Sequence, residues 1–156
     1  MATNEELMYV EKVGLHFEQL TLPRMAGRIF GWLLISETPL VSMNELVEVL
    51  QASKSSVSSM TRLLIQIELV ELVSLPGERR DYYRISRNAW TNSLRDRLEQ
   101  AHSFRQLADE GLTLLARSDP ERRMRLEEMR SLYAFLEREI PILLERWQKE
   151  YQRMEQ

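Results

Sequence analysis

At 156 residues, with 44% hydrophobic and 29% charged residues, the chain has the length of one compact domain, or of one with a helical extension. Five Gly and five Pro are few for a turn-rich sandwich or barrel, and the lack of Cys excludes a disulfide framework, a thiolate metal site and a Cys nucleophile. The net charge of −3 is uneven: residues 53–98 hold 8 Lys/Arg against 5 Asp/Glu, while both flanks are acidic. Screening acts over about 8–10 Å, so this local excess decides what that segment attracts.

The N-terminal Met-Ala-Thr-Asn-Glu-Glu is acidic and has no apolar run, so no signal peptide is expected. The apolar runs are too short to span a bilayer, and by elimination a soluble cytoplasmic protein is expected. Asn4 is the expected N-cap of a first helix to about Leu20, with Leu7, Val10, Val13, Phe17 and Leu20 on one stripe. Pro23 suits the start of a second helix to about Ser36. That helix is apolar over most of its circumference and is expected to be central and buried. Gly27 and Gly31 lie four apart on it, each costing about 1 kcal/mol against Ala. Close approach of another helix, at Gly14, would offset that cost; a chance pair is the other reading.

Pro39-Leu40-Val41 reads as short and extended. Ser42-Met43-Asn44-Glu45 matches a capping box, opening a third helix to about Gln51 with Leu46, Val49 and Leu50 inward. Ala52-Ser53 is the turn, and Ser53 caps a fourth helix with Val57, Met60, Leu64 and Ile67 as its stripe. From Val70 the period changes to two, with strands around Pro76-Gly77. This order predicts a mainly α winged helix-turn-helix with a small β-hairpin wing and long C-terminal dimerisation helices. The expected division is 1–88 for the winged helix-turn-helix DNA-binding domain and 89–156 for a helical dimerisation region.

In such a fold the start of the fourth helix enters the major groove and the hairpin reaches the neighbouring backbone or minor groove. Lys54, Ser55, Ser56, Ser58, Ser59 and Arg62 are therefore the candidate contacts on the helix. Ser hydroxyls suit phosphates and base edges, and Arg can bond a guanine edge bidentately. A solvated, well-capped face is the bland reading of the same residues. Arg79 and Arg80 are the candidates at the wing tip, where one Arg is expected to be held by a neighbouring acid, Glu78 or Asp81. Arg84, with Arg87, extends the cationic strip.

Asn88 is expected to cap a long helix to about Arg117. Asp119-Pro120 opens a last helix reaching nearly to the C-terminus, which Pro141 should kink or split. Leu132, Leu136, Ile140, Leu143, Trp147 and Tyr151 recur along it at three or four residues. About 35 helical residues span roughly 50 Å, more than a small domain can cover. The same stripe of a second copy is the expected partner; an intramolecular hairpin between 89–117 and 120–155 is the alternative.

His16 and His102 lie on separate helices without metal-ligand spacing, and no phosphate loop or nucleophile motif occurs, so neither an enzyme nor a cofactor is expected.

Helices three and four plus the wing resemble the MarR family of bacterial regulators. Further strings are similar to its GbsR-type subgroup, named for control of glycine betaine metabolism. They are Glu11-Lys12-Val13-Gly14-Leu15, Leu22-Pro23-Arg24-Met25-Ala26-Gly27-Arg28-Ile29, Gln51-Ala52-Ser53-Lys54, Thr61-Arg62-Leu63-Leu64 and Ser74-Leu75-Pro76-Gly77-Glu78-Arg79-Arg80-Asp81-Tyr82. The resemblance implies that Arg80, in the acid-x-Arg pattern with Glu78, reaches the groove. It also implies a dimer built from terminal helices and an effector cavity between the DNA-binding lobe and the dimer helices. Phe17, Trp32, Trp90 and Phe104 could line that cavity as an aromatic cage, or could simply be core. Glu68 departs from the family, which usually places Gly there, so a rebuilt turn is expected. The function so implied is sequence-specific binding of double-stranded DNA at a palindromic operator by a homodimeric transcriptional regulator, a repressor, with a small effector. The alternative is a winged-helix protein–protein interaction module that ignores DNA.

Overall fold

The computed structural model describes residues 2–117 and 119–154. The chain divides between Ala89 and Trp90 into two compact units. The first contains α1 (Asn4–Gln19), α2 (Arg24–Ile35), β1 (Val41–Ser42), α3 (Met43–Leu50), α4 (Lys54–Gln66), β2 (Val70–Ser74) and β3 (Asp81–Ile85). The second is formed by α5 (Ala89–Leu114), apart from its first residue, and α6 (Pro120–Met154).

Thr3, not Asn4, caps α1. Its hydroxyl accepts from the Glu6 amide at 3.2 Å, and its own amide donates to Glu6 Oε2 at 2.6 Å. The Glu needed to close a capping box stands three residues after Thr3, which moves the helix start back by one. Pro23 is likewise one position earlier than expected, as the N-cap, where its carbonyl takes the Gly27 amide.

The second helix is central, as its composition requires: Ala26, Ile29, Phe30, Trp32 and Leu33 are buried. Around it lie Val10 and Phe17 of α1, Leu46 and Leu50 of α3, and Val57 and Leu64 of α4, with Val41, Val70 and Tyr83 from the strands. The glycines explain how α1 comes so near. A Cβ on Gly27 would lie 2.8 Å from the Gly14 Cα, and one on Gly31 would lie 3.0 Å from the Val13 Cβ. The expected close approach at Gly14 is therefore present.

The hairpin forms as its period-two pattern predicts, with Leu72 opposite Tyr83 and Val70 opposite Ile85. Its tip is a type II turn: Pro76 precedes Gly77 at φ +83°, and the Glu78 amide donates to the Leu75 carbonyl at 3.1 Å. The extended segment before α3 does more than connect. Val41 pairs with Tyr83, making an antiparallel sheet of order β1-β3-β2.

In the second unit α5 ends at Leu114, short of the expected Arg117, and α6 starts at Pro120 after Asp119, whose carboxylate accepts from the Glu121 amide at 2.9 Å. No split occurs at Pro141; α6 is one helix of 35 residues. The two helices pack antiparallel. Phe104 stacks on Tyr133 at 4.8 Å, Arg130 pairs with Asp109 at 2.7 Å, and Leu126 fills the space left by Gly111. The intramolecular hairpin is thus formed, but it uses a different face of α6 from most of the expected stripe. Ile140 is buried within the chain, whereas Leu132, Leu143, Trp147 and Tyr151 stay exposed. Among the described residues, no helix is long and apolar enough to cross a membrane.

Candidate nucleic-acid interface

The turn between α3 and α4 is set by local chemistry. Ser42 accepts from the Glu45 amide at 3.2 Å, but only half of the expected capping box exists. The Glu45 carboxylate instead takes the indole N–H of Trp32 at 3.3 Å, a partner thirteen residues away. Gln51 adopts a left-handed backbone (φ 48°, ψ 45°), and the Ala52 amide returns to the Val47 carbonyl at 3.2 Å. Ser53 then caps α4, accepting from the Ser56 amide at 3.2 Å.

Helical spacing sorts α4 into two faces. Val57, Thr61 and Leu64 are buried, and the Thr61 hydroxyl is satisfied by the Val57 carbonyl at 2.9 Å. Lys54, Ser55, Ser59 and Arg62 are exposed, with Ser56 and Ser58 half-buried beside them. Arg62 Nε donates to the Ser58 carbonyl at 3.2 Å, which lays the side chain along its own helix.

At the wing tip the acids are engaged elsewhere than expected. Glu78 accepts from the Tyr82 hydroxyl, and that hydrogen bond, helped by desolvation, holds the Tyr82 phenol above its ordinary pKa. Asp81 accepts from Ser74 Oγ at 3.3 Å. Arg79 and Arg80 are exposed and form no ion pair among the described residues. The expectation that an acid holds one of them is corrected: the carboxylates are taken by hydroxyls on the strands. Arg84 differs as well. Opposite Glu71 in the ladder, it forms an ion pair with that residue, which offsets the positive charge the strip was expected to gain there.

Lys54 of α4 and Arg79 and Arg80 of the wing meet at one cleft of about 320 Å³, closed by Ser42, Met43, Asn44, Asp81 and Tyr83. Asn44 was not among the sequence candidates. Its signal was its place in the first turn of α3, beside a strand whose pairing was not foreseen. Glu68 has φ +59°, and its amide bonds to the Ile65 carbonyl at 3.0 Å. The left-handed turn favoured by Gly is therefore kept, not rebuilt, and carries a Glu.

No group of three or more His, Cys, Asp or Glu is placed to hold a metal among the described residues. His102 Nδ1 instead lies 2.7 Å from Glu137. Of the four aromatic residues considered for an effector cage, Phe17 and Trp32 are core residues of the first unit, while Trp90 and Phe104 of the second are exposed.

Comparison with known proteins agrees with this geometry. A family model described as MmpR5-like MarR family transcriptional regulator matches residues 88–150. The HTH-type transcriptional regulator MmpR5 of Mycobacterium tuberculosis is 37% identical over 148 residues, covering 94% of this chain and 90% of the relative. A crystal structure of a transcriptional regulator, 36% identical, covers 93% of this chain and 99% of its own, with a TM-score of 0.77. With the helix-turn-helix, the wing and this kinship in place, the chain belongs to the MarR-family transcriptional regulators of the MmpR5-like kind.

Proposed function

We propose that this DNA-binding regulator acts as a two-fold homodimer, with α4 of each protomer in the major groove and the wing tip on the adjoining backbone or minor groove. The observation that carries the reading is the cleft where Lys54, Arg79 and Arg80 converge. Three cations from two elements can grip phosphates on both sides of an inserted helix. Ser55, Ser59 and Arg62 on the exposed face would then read base edges, with Ser56 and Ser58 nearer the backbone.

Residues 1–88 would serve DNA and residues 89–156 the dimer. Leu132, Leu143, Trp147 and Tyr151 are large apolar groups left open after α5 and α6 have packed together. A second copy of the same stripe would cover them. Two-fold symmetry places the recognition helices about one DNA turn apart, roughly 34–36 Å, and calls for a palindromic operator. Repression follows if that operator overlaps a promoter. A small effector would act by binding one spacing of the two α4 helices better than another. The GbsR-type kinship rests on the strings from Glu11 to Tyr82, and the cytoplasm is where such a regulator meets its DNA.

The test is selection of bound duplexes from a random pool, followed by fluorescence anisotropy at several salt concentrations. Log affinity should fall by about 0.9 per phosphate contact for each unit of log salt. Failure to enrich any duplex would favour the protein–protein module instead.

A further inference from the structure

The strings Glu11-Lys12-Val13-Gly14 and Arg24-Met25-Ala26-Gly27-Arg28 come together in the first unit as one clasp. A Cβ on Gly14 would lie 2.9 Å from Arg28 Cγ and 3.1 Å from Arg24 Cγ, so the glycine makes room for both stems. Glu11 takes both cations. Arg24 Nη2 lies 2.8 Å from its Oε2, and Arg28 Nε lies 2.5 Å from its Oε1, although that N–H is not aimed along the line of a hydrogen bond. Arg28 Nη2 reaches further and donates to the carbonyl of Leu50 at 3.1 Å.

Leu50 is the last residue of α3, and its carbonyl is one of those a helix end leaves without an intrahelical partner. A cation there is favoured both by the hydrogen bond and by the negative end of the helix dipole. Directly after it Gln51 turns left-handed and the chain enters α4. Arg28 is half-buried, and its bond to the Leu50 carbonyl adds to an ion pair that would contribute little by itself.

We infer that Arg28 is a positioning residue for DNA recognition: held by Glu11, it pins the end of α3 and so sets the direction in which the turn delivers α4. This rests on the DNA-binding reading above, but its first readout does not need DNA. Arg28→Lys keeps a cation beside Glu11, yet one ammonium cannot occupy both the Nε and Nη2 positions. Amide exchange at Gln51 and Ala52 should become about tenfold faster in this variant, and unchanged exchange would overturn the inference.

The second readout compares a duplex selected by the wild-type protein with a scrambled duplex of equal length. Arg28→Lys should raise the Kd for the selected duplex about tenfold and that for the scrambled one by less than about twofold, because phosphate contacts carry no sequence information. Glu11→Gln should shift the same ratio in the same direction. A variant that weakens both duplexes equally, or neither, overturns the positioning role. A wild-type protein that selects no duplex would instead sink the DNA-binding reading, leaving the amide exchange to judge the clasp.

Discussion

Gly14 and Gly27 meet backbone to backbone: the Cα of Gly14 occupies the place 2.8 Å from where a Gly27 Cβ would stand, with Phe17 equally near. Two helices joined by the short Leu20–Pro23 link can cross this closely only where both lack side chains. Gly27→Ala should therefore destabilise the first unit. Overpacking costs about 1–3 kcal/mol, and the better helix propensity of Ala returns about 1 kcal/mol of it. Urea denaturation should show a net loss of up to about 2 kcal/mol. Gly77→Ala tests a different mechanism, since nothing lies within 4 Å of a Cβ there and only the φ of +83° resists it; a cost of about 1–2 kcal/mol is expected from the left-handed backbone alone.

Glu68 has a φ of +59°, and its carboxylate forms no ion pair among the described residues. Glu68→Gly should relieve about 1–2 kcal/mol of backbone strain, less about 0.4–1 kcal/mol for the freer unfolded chain. A rise in unfolding free energy of about 1 kcal/mol is the expected outcome of chemical denaturation, and a fall would show that the turn is not strained by its side chain.

Arg80 and Arg84 should separate in a binding assay. Arg80→Ala removes an exposed cation with no ion-pair partner among the described residues, so the salt slope of DNA affinity should flatten by about 0.9 with the dimer intact. Arg84→Ala breaks the pair with Glu71, releasing an acid as it removes a base. Its effect on stability should stay below about 1 kcal/mol, and its slope should change less than that of Arg80→Ala.

Leu143 is 58% exposed and Trp147 42% exposed on α6. Leu143→Glu should leave the far-ultraviolet circular dichroism unchanged and shift the sedimentation coefficient from dimer to monomer. The same change should raise the Kd for a palindromic duplex by more than about tenfold, because half the contacts are lost when one protomer binds alone. A Leu143→Glu protein that still sediments as a dimer would remove this face from the interface.

Glu137 links the two helices of the second unit. Desolvation would raise its pKa, but hydrogen bonds from Arg105, at 2.5 Å, and from His102 outweigh it and bring the carboxyl below its ordinary 4.5. A folded pKa below the unfolded one contributes stability above the unfolded value, and that contribution is lost as pH falls through the folded value. The thermal midpoint should therefore drop below about pH 4.5. In Glu137→Gln the midpoint should start lower at neutral pH and decline less steeply with acid; parallel curves would mean that other carboxylates govern the acid limit.

Much of the architecture was readable from the chain alone, because it is decided by residues a few positions apart. Ser53 at the start of α4, Pro76-Gly77 in the wing and Asp119-Pro120 before α6 act through bonds spanning two to four residues. Helical spacing likewise assigned Val57 and Leu64 to the core and Lys54 and Arg62 to the outside. What the sequence by itself could not decide is which of several available partners each polar group takes. Glu45 leaves its capping box for Trp32, Glu78 takes Tyr82 instead of an arginine, Arg84 is claimed by Glu71, and Arg28 reaches the end of α3. Three of those choices depend on distances created only when remote segments pack, while that of Glu78, four residues before Tyr82, depends on the local course of the wing. A carboxylate or guanidinium loses its hydration shell as the fold closes, and the partner that replaces it is whichever one the packing brings within reach.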